Sequence, residues 1–441
     1  MSSTTLAGDW RALLARAVPF AVTGQVARLS GLAVWVSDFP VPLGARCAIA
    51  RAGLPDLRAE VVGFQDQSAI LLAEAELDGV RRGAKVRLTQ SAPTATVGEE
   101  LLGRVLDASG RPLDGRSGPA SSQRRSLHGS ATSALDRPRI DTPLVTGVRA
   151  IDALVTCGVG QRLGIFAGTG VGKSVLLGQL ARGSSADVNV VVLIGERGRE
   201  VREFIDDNLG PAGLARSVVV CATSDESPLL RRRAALLGAS LAEAFRDRGR
   251  NVLLLVDSIT RLALAQREIG LAAGEPPTTR GFPPSVFALL PRVLERSGRT
   301  RTGSITGLYT VLVEGDDPHD PIADAIRGTL DGHLILSRRL AELGHFPALD
   351  VLASLSRVMP DLVEPAHLRE ATQIRRVLAA VKQAEDLVAI GAYQPGSQKV
   401  VDVGLAQQAA LAAFLCQARD ETTGWPTLRA RLAELARRCE C

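Results

Sequence analysis

Aromatic residues make up only 3% of this 441-residue chain. A surface that stacks single-stranded nucleic acid needs many such rings, so that partner is not expected. The net charge of +5 does not reverse this. Lysine is scarce too: Lys85, Lys173, Lys382 and Lys399 stand among 52 basic residues. Such a strong arginine bias reads as compositional. Long apolar runs are also missing. The longest, VNVVVLIG and NVLLLV, are far short of the roughly 18 residues a membrane span requires and read as buried strands. The start, MSSTTLAGDWRALLARAVPF, has no uninterrupted apolar stretch, so no secretory signal is expected. Cysteine is sparse and scattered, at Cys47, Cys157, Cys221, Cys416, Cys439 and Cys441. That spread excludes a disulfide framework and suits reduced thiols in the cytoplasm. Cys439 and Cys441 are two soft ligands where structural zinc wants four. The histidines form no ligand-spaced pair, so no metal held by the protein alone is expected.

What is present is a change of pattern along the chain. Trp10, Leu13, Leu14, Ala17 and Val18 fall at helical spacing, with Arg11 and Arg16 between them. They predict a short amphipathic helix over 1–18, which packs on its own domain or binds a partner. Residues 19–92 hold short β-rich runs (GQVARLSGLAVWVSDF, CAIARA, RAEVVGFQDQSAILLA, AKVRLT) broken by turn residues, the pattern of a small β-barrel. Residues 93–145 are rich in Gly, Pro, Ser and Arg and read as a loop-rich connector. From 146 to 362 apolar strands alternate with amphipathic helices, which implies a mainly parallel α/β sheet covered on both faces. Residues 363–441 read as helical.

The chemistry concentrates in that third region. AGTGVGKS, from Ala167 to Ser174, lies between the strand RLGIFA and the helix KSVLLGQLAR. It fits the phosphate-binding pattern G-x-x-x-x-G-K-[ST] except at Ala167. Alanine there is tolerable if φ stays negative, and Gly168 is free to take the sharper turn. Gly170 and Gly172 let backbone N–H groups turn toward phosphate oxygens, at a helix N-terminus that favours anions. Lys173 would reach the β- and γ-phosphates, and Ser174 would ligate Mg²⁺. Asp257 closes the strand NVLLLVD, where such enzymes carry the acidic residue that supports the metal. Glu196 and Arg197, in GERGRE, follow another strand. Glu196 is placed to activate water, and Arg197 to hold phosphate or fix Glu196. Arg357, in SLSRVM, is a candidate arginine finger.

With those residues in hand, long stretches resemble the flagellum-specific export ATPase of the FliI type, a relative of the F-type ATP synthase catalytic subunit. They are GIFAGTGVGKSVLLGQLAR, VVLIGERGREVREFI, VDSITRLALAQREIG and GSITGLYTVLVEGDD through GHFPALDVLASLSRVM. The likeness covers roughly 20–400. It implies an N-terminal β-barrel, a RecA-like P-loop ATPase core, a C-terminal helical domain, and hexamers with nucleotide at subunit interfaces. ATP with Mg²⁺ would be bound by Gly168, Thr169, Gly170, Val171, Gly172, Lys173, Ser174 and Val175, with Asp257 supporting the metal. Glu196 would be the catalytic carboxylate with Arg197 beside it. Non-catalytic relatives carry glutamine there, and a neutral amide cannot take up charge from the attacking water. Arg261 would lie near the γ-phosphate, and Arg357 would act in trans. Phe346 stands where the family has a tyrosine that stacks on adenine, so stacking survives without the hydroxyl. Tyr393 and Gln394 would border the adenine. Alanine at 167 is common in the family. The implied partners are a stator-like regulator at the N-terminal helix, a central stalk protein, the membrane export gate and chaperone–substrate complexes. The implied location is the cytoplasm, peripheral to the inner membrane. Two rival readings remain: the virulence injectisome ATPase, with the same chemistry, and a hexameric RNA translocase. The translocase would need aromatic–basic clustering on a barrel that offers little beyond Trp35, Phe39 and Phe64.

Overall fold

The computed structural model describes residues 22–118, 123–129, 132–313 and 320–440. The helix expected over 1–18 lies outside these. The first unit is a closed antiparallel barrel of six strands: β1 (Thr23–Ser30), β2 (Ala33–Ser37), β3 (Arg46–Arg51), β4 (Leu54–Gln65), β5 (Ser68–Ala73) and β6 (Lys85–Gln90). Their order is β1-β2-β5-β4-β3-β6, closed by β6 on β1. Alternation fills the interior. In β6, Val86 and Leu88 are buried while Lys85 and Arg87 face solvent. Val26, Val34, Val36, Ile49, Val61 and Leu71 join them inside. Closure also removes exposed strand edges, which would otherwise invite pairing with other chains.

The second unit is a nine-stranded sheet. Its strands are β7 (Arg104–Asp107), β8 (Arg162–Ala167), β9 (Val188–Glu196), β10 (Ser217–Thr223), β11 (Asn251–Asp257), β12 (Ser304–Leu312), β13 (Gly332–Leu336) and β14 (Leu355–Ser356), with Gly298–Arg299 pairing against β12. The order is β14-β13-β8-β12-β11-β9-β10-β7. All neighbours along this path are parallel except β13 and β14. Strand β9 is buried along almost its whole length, as a strand covered on both faces must be. One face carries α1 (Lys173–Gly183). The other carries α3 (Pro228–Arg246), α4 (Ile259–Ala272), α5 (Pro284–Leu294) and α6 (Pro321–Thr329). Between them, α2 (Gly198–Glu203) starts the charged segment after β9 and then widens into a π-helical turn over Phe204–Leu209. The wider turn brings Phe204 and Leu209, five residues apart, onto one buried face.

Part of the segment read as a connector belongs to this sheet. Residues 104–107 form the edge strand β7, paired in parallel with β10. Arg104 clamps Asp114 through two hydrogen bonds of 2.6 and 3.0 Å, which folds the following loop back on the strand. A second piece, Thr94–Thr96 with Arg124–Ser126, makes a two-stranded ribbon.

A buried ionic cluster joins barrel and sheet. Arg233 of α3 is 3% exposed and donates to Glu60 of β4 and to Glu74. Arg232 reaches Glu60 at 2.7 Å, and Arg46 reaches Glu74 at 2.8 Å.

A short helix, α7 (Arg338–Glu342), follows β13. The C-terminal region then consists of α8 (Pro365–Ala389), α9 (Lys399–Ala406), α10 (Gln408–Leu415) and α11 (Trp425–Arg438). Ala371, Ile374 and Val377 of α8 and Leu428 and Leu432 of α11 pack into the same hydrophobic cluster as α1. Buried Arg149 pins the end of α10 and the segment after it. It donates to the Phe414 carbonyl at 3.1 Å, and its backbone N–H donates to the Gln417 side chain at 2.9 Å. No helix among the described residues is long and apolar enough to cross a membrane.

Candidate active site

Parallel strands end on one edge of the sheet, and β8, β9 and β11 deliver their C-terminal residues there together. Ala167 closes β8 and is buried with negative φ, since Asp38, Asp66 and Arg280 are the non-glycine residues at positive φ among those described. Its methyl therefore fits. The sharp turns fall at Gly170 (φ 79°) and Gly172 (φ 87°), not at Gly168, which does not adopt positive φ. Both conformations disfavour any residue with a Cβ. Gly172 caps α1, so the first helical N–H groups open onto the loop. Val171 anchors the loop in the core at 3% exposure, while Thr169, Ser174 and Val175 face solvent.

Lys173 follows the cap. Its ammonium is bonded to Asp257 and lies 3.3 Å from Glu196 Oε1. Burial pulls the lysine pKa down, but Asp257 and then Glu196 outweigh it, and the net shift is upward. The lysine is therefore held charged between two carboxylates. Glu196 is raised above the ordinary carboxylate range, first by burial and then by the nearby Asp257 charge, with Lys173 and Arg261 opposing. Glu200 shares a hydrogen bond with Glu196 and is itself lowered by it. Arg261 lies in the first turn of α4, where Ser258 caps its backbone N–H at 3.3 Å. Its Nε is 3.7 Å from Glu196 Oε1. Gly195, at φ 68°, lets the arginine pass: a Cβ there would sit 2.7 Å from Arg261 Cδ.

Other sequence candidates fall differently. The Arg197 side chain forms no ion pair with Glu196 among the described residues. It is 76% exposed and pairs with Glu200 at 3.5 Å. Phe346 is half exposed and stands beside the loop, its ring carbons 3.5 Å from where a Gly172 Cβ would be. Its carbonyl accepts the Gln417 backbone N–H at 2.9 Å, so the C-terminal region holds the ring's backbone. Tyr393 is not brought to this site by any contact. Its hydroxyl is committed to its own loop, on the Gln398 carbonyl at 3.2 Å and Asp402 Oδ1 at 2.9 Å. Gln394 lies in that same loop, where its carbonyl accepts from Ser397 Oγ. Arg357 lies at the opposite end of the sheet, since Ser356 pairs with Gly332 at the start of β13. It is exposed and has no ion-pair partner among the described residues.

Sequence reasoning passed over three contacts. Thr310 of β12 donates to Asp257 Oδ1 at 2.7 Å. Arg338 of α7 donates to the Thr169 carbonyl at 3.5 Å. Gln417 holds Phe346. Each is an ordinary residue in its own segment, and no local pattern marks it.

The donor set suits Mg²⁺. The Ser174 hydroxyl and the Asp257 carboxylate are hard oxygen donors at the mouth of a loop whose backbone turns inward. Two donors are too few to hold the ion alone, so phosphates and water must supply the rest.

The geometry is matched by known families. The nucleotide-binding domain of the ATP synthase alpha/beta family matches residues 147–356, and the type III secretion EscN ATPase C-terminal domain matches 363–434. A flagellum-specific ATP synthase of Pseudomonas aeruginosa is 49% identical, covering 94% of this chain and 93% of that protein. A type 3 secretion system ATPase of Xanthomonas euvesicatoria is 52% identical, covering 91% of each. The chain belongs to the flagellar and type III secretion ATPase family. Family membership extends to the whole architecture. The assembled ATPase EscN from the enteropathogenic E. coli type III secretion system superposes with a TM-score of 0.88 at 41% identity, covering 94% of this chain and 100% of that one. A second structure of EscN, in complex with its central stalk EscO, gives 0.87 at 40%. This family member is thus an ATPase with the barrel, the RecA-like core and the helical C-terminal region that the sequence resemblance implied.

Proposed function

We propose that this protein hydrolyses ATP to energise type III protein export in assembly of the bacterial flagellum. One observation carries the chemistry: Lys173, Glu196 and Asp257 converge at the mouth of a glycine loop. The loop from Gly168 to Val175 wraps the phosphates, and Lys173 leaves its two carboxylates to hold the β- and γ-phosphates. Ser174 and Asp257 hold the nucleotide's Mg²⁺, which neutralises phosphate charge when bound. Glu196 then faces the γ-phosphate side without its lysine partner and accepts the proton of the attacking water. Burial suits it to that role by raising its proton affinity. Arg261, close to Glu196, stabilises charge developing on the γ-phosphate. Phe346 stacks on the adenine. The Tyr393 hydroxyl stays on Asp402 within its own loop, so the residue borders the adenine by its ring alone.

Arg357 cannot complete its own subunit's site from the far end of the sheet, and it completes a neighbour's instead. A ring of identical subunits fits that division of labour; the family resemblance makes it a hexamer, and the assembled state of EscN supports self-association. The EscO complex supports a central stalk partner. The regulator at the N-terminal helix, the membrane export gate and chaperone–substrate complexes complete the reading, with the ring at the cytoplasmic side of the inner membrane.

The 52% identity to the Xanthomonas protein favours a second reading, the injectisome ATPase. Deleting the gene separates them, since loss of motility marks the flagellar role and loss of effector secretion the other. The barrel offers little to RNA: Phe39 is buried and Trp35 is covered by Arg28 at 4.4 Å, which leaves Phe64 as a single exposed ring among the described residues and no stacking row. The test of the chemistry is Glu196→Gln. It should bind ATP normally and lose turnover by about 10²- to 10⁴-fold. Unchanged steady-state hydrolysis by that variant would remove Glu196 from the mechanism.

A further inference from the structure

Asp257 has a second buried partner with no assigned task. Thr310 is completely buried in β12, the strand that separates β8 from β11. On one side it pairs with Ile165, two residues before the loop begins. On the other, the register Val256↔Tyr309 sets it level with Asp257. Its single hydroxyl proton has two acceptors within reach: the Val256 carbonyl at 3.3 Å and Asp257 Oδ1 at 2.7 Å. The shorter, charged acceptor takes it. The same carboxylate oxygen also receives the Lys173 ammonium.

That shared oxygen matters once nucleotide arrives. Lys173 must release Asp257 to reach a phosphate. A carboxylate only 3% exposed then loses its cation, and a buried charge without donors is strongly disfavoured. The Thr310 hydroxyl is fixed by the strand register and does not move with the loop. We infer that Thr310 is a positioning residue. It holds Asp257 Oδ1 after Lys173 turns to the nucleotide, and so keeps the carboxylate oriented toward the Mg²⁺ that accompanies ATP. This rests on the nucleotide-site reading given above. Thr310 touches neither nucleotide nor metal and works through Asp257.

The test is nucleotide binding in the full-length protein, read with a fluorescent ADP analogue with and without Mg²⁺. Thr310→Val keeps shape and volume but removes the hydroxyl. It should bind the analogue normally without Mg²⁺ and lose about ten- to a hundredfold of the affinity that Mg²⁺ adds. Thr310→Ser keeps the hydroxyl and should retain the Mg²⁺ response. A Val variant with the full response overturns the inference. So does a folded Ser variant that lacks the response, and this second arm still decides if the Val variant fails to fold. A wild-type protein whose nucleotide affinity ignores Mg²⁺ would instead overturn the nucleotide-site reading itself.

Discussion

Replacing Arg357 by glutamine should abolish turnover yet leave nucleotide binding by the same subunit intact. The reason is distance along the sheet. The loop leaves β8 at Ala167, which pairs with Leu336 of β13. Arg357 follows Ser356, which pairs with Gly332 at the other end of β13. Four residues of strand separate the two levels, about 13 Å at the usual rise, before the loop rises further. The side chain is also free to be given away, with no ion-pair partner among the described residues. An arginine supplied in trans to a phosphoryl-transfer site contributes about 10³- to 10⁵-fold to turnover, or about 4–7 kcal/mol of barrier. The decisive assay mixes two inactive variants, Arg357→Gln and Glu196→Gln. In a ring of equal, randomly placed subunits, about one interface in four pairs an intact Glu196 with an intact Arg357. Steady-state hydrolysis should then recover to about a quarter of the wild-type rate. If both variants assemble and bind nucleotide but the mixture stays silent, Arg357 does not serve a neighbour. Near-normal hydrolysis by Arg357→Gln alone would reject its role altogether.

Glu196 works as a base only when ionised, and burial raises its proton affinity. The rate at saturating Mg-ATP should therefore fall on acidification with a midpoint above the ordinary carboxylate range. A pH profile with no such acid limb would contradict the assignment. Phe346→Ala should weaken binding of a fluorescent ADP analogue by about 1–3 kcal/mol, whereas Phe346→Tyr should match wild type; equal affinities for both would argue against stacking. At the barrel seam, Glu60→Gln strips Arg232 of its carboxylate and leaves Arg233 and Arg46 sharing Glu74, and should lower stability in urea unfolding by about 3–5 kcal/mol. Arg233→Met should lose less, because Glu60 keeps Arg232 and Glu74 keeps Arg46; the reverse order would refute the charge count. Burial alone would raise the Glu74 pKa, but Arg233 and Arg46 outweigh it and hold it below its ordinary value. Its share of stability is thus present above the unfolded pKa and lost as pH falls toward the folded one.

Much of the fold was legible because its signals are local. The barrel strands alternate every second residue, and the core strands are continuous apolar runs between amphipathic helices. Strand β7 was not legible. It has four residues amid Gly, Pro and Ser, and it is a strand only because β10 offers it a parallel edge. The loop was legible down to its lysine, yet the turn sits at Gly170 and Gly172 and leaves Gly168 ordinary. Arg197 shows the limit of placing a side chain by nearness in sequence. It turns to Glu200, a partner on its own local segment, and away from Glu196.

By itself, the amino-acid order determined which chemical groups are available and which segment carries each. A glycine loop with Lys173, a carboxylate at the end of each of two apolar strands, and a ring at Phe346 are all contiguous patterns. The tertiary structure decided which of them meet. Lys173 touches Asp257 across 84 residues and Glu196 across 23 because parallel strands bring their C-terminal ends to one edge. The same register carries Arg357 to the other end and places Thr310, which no local pattern marks, against Asp257.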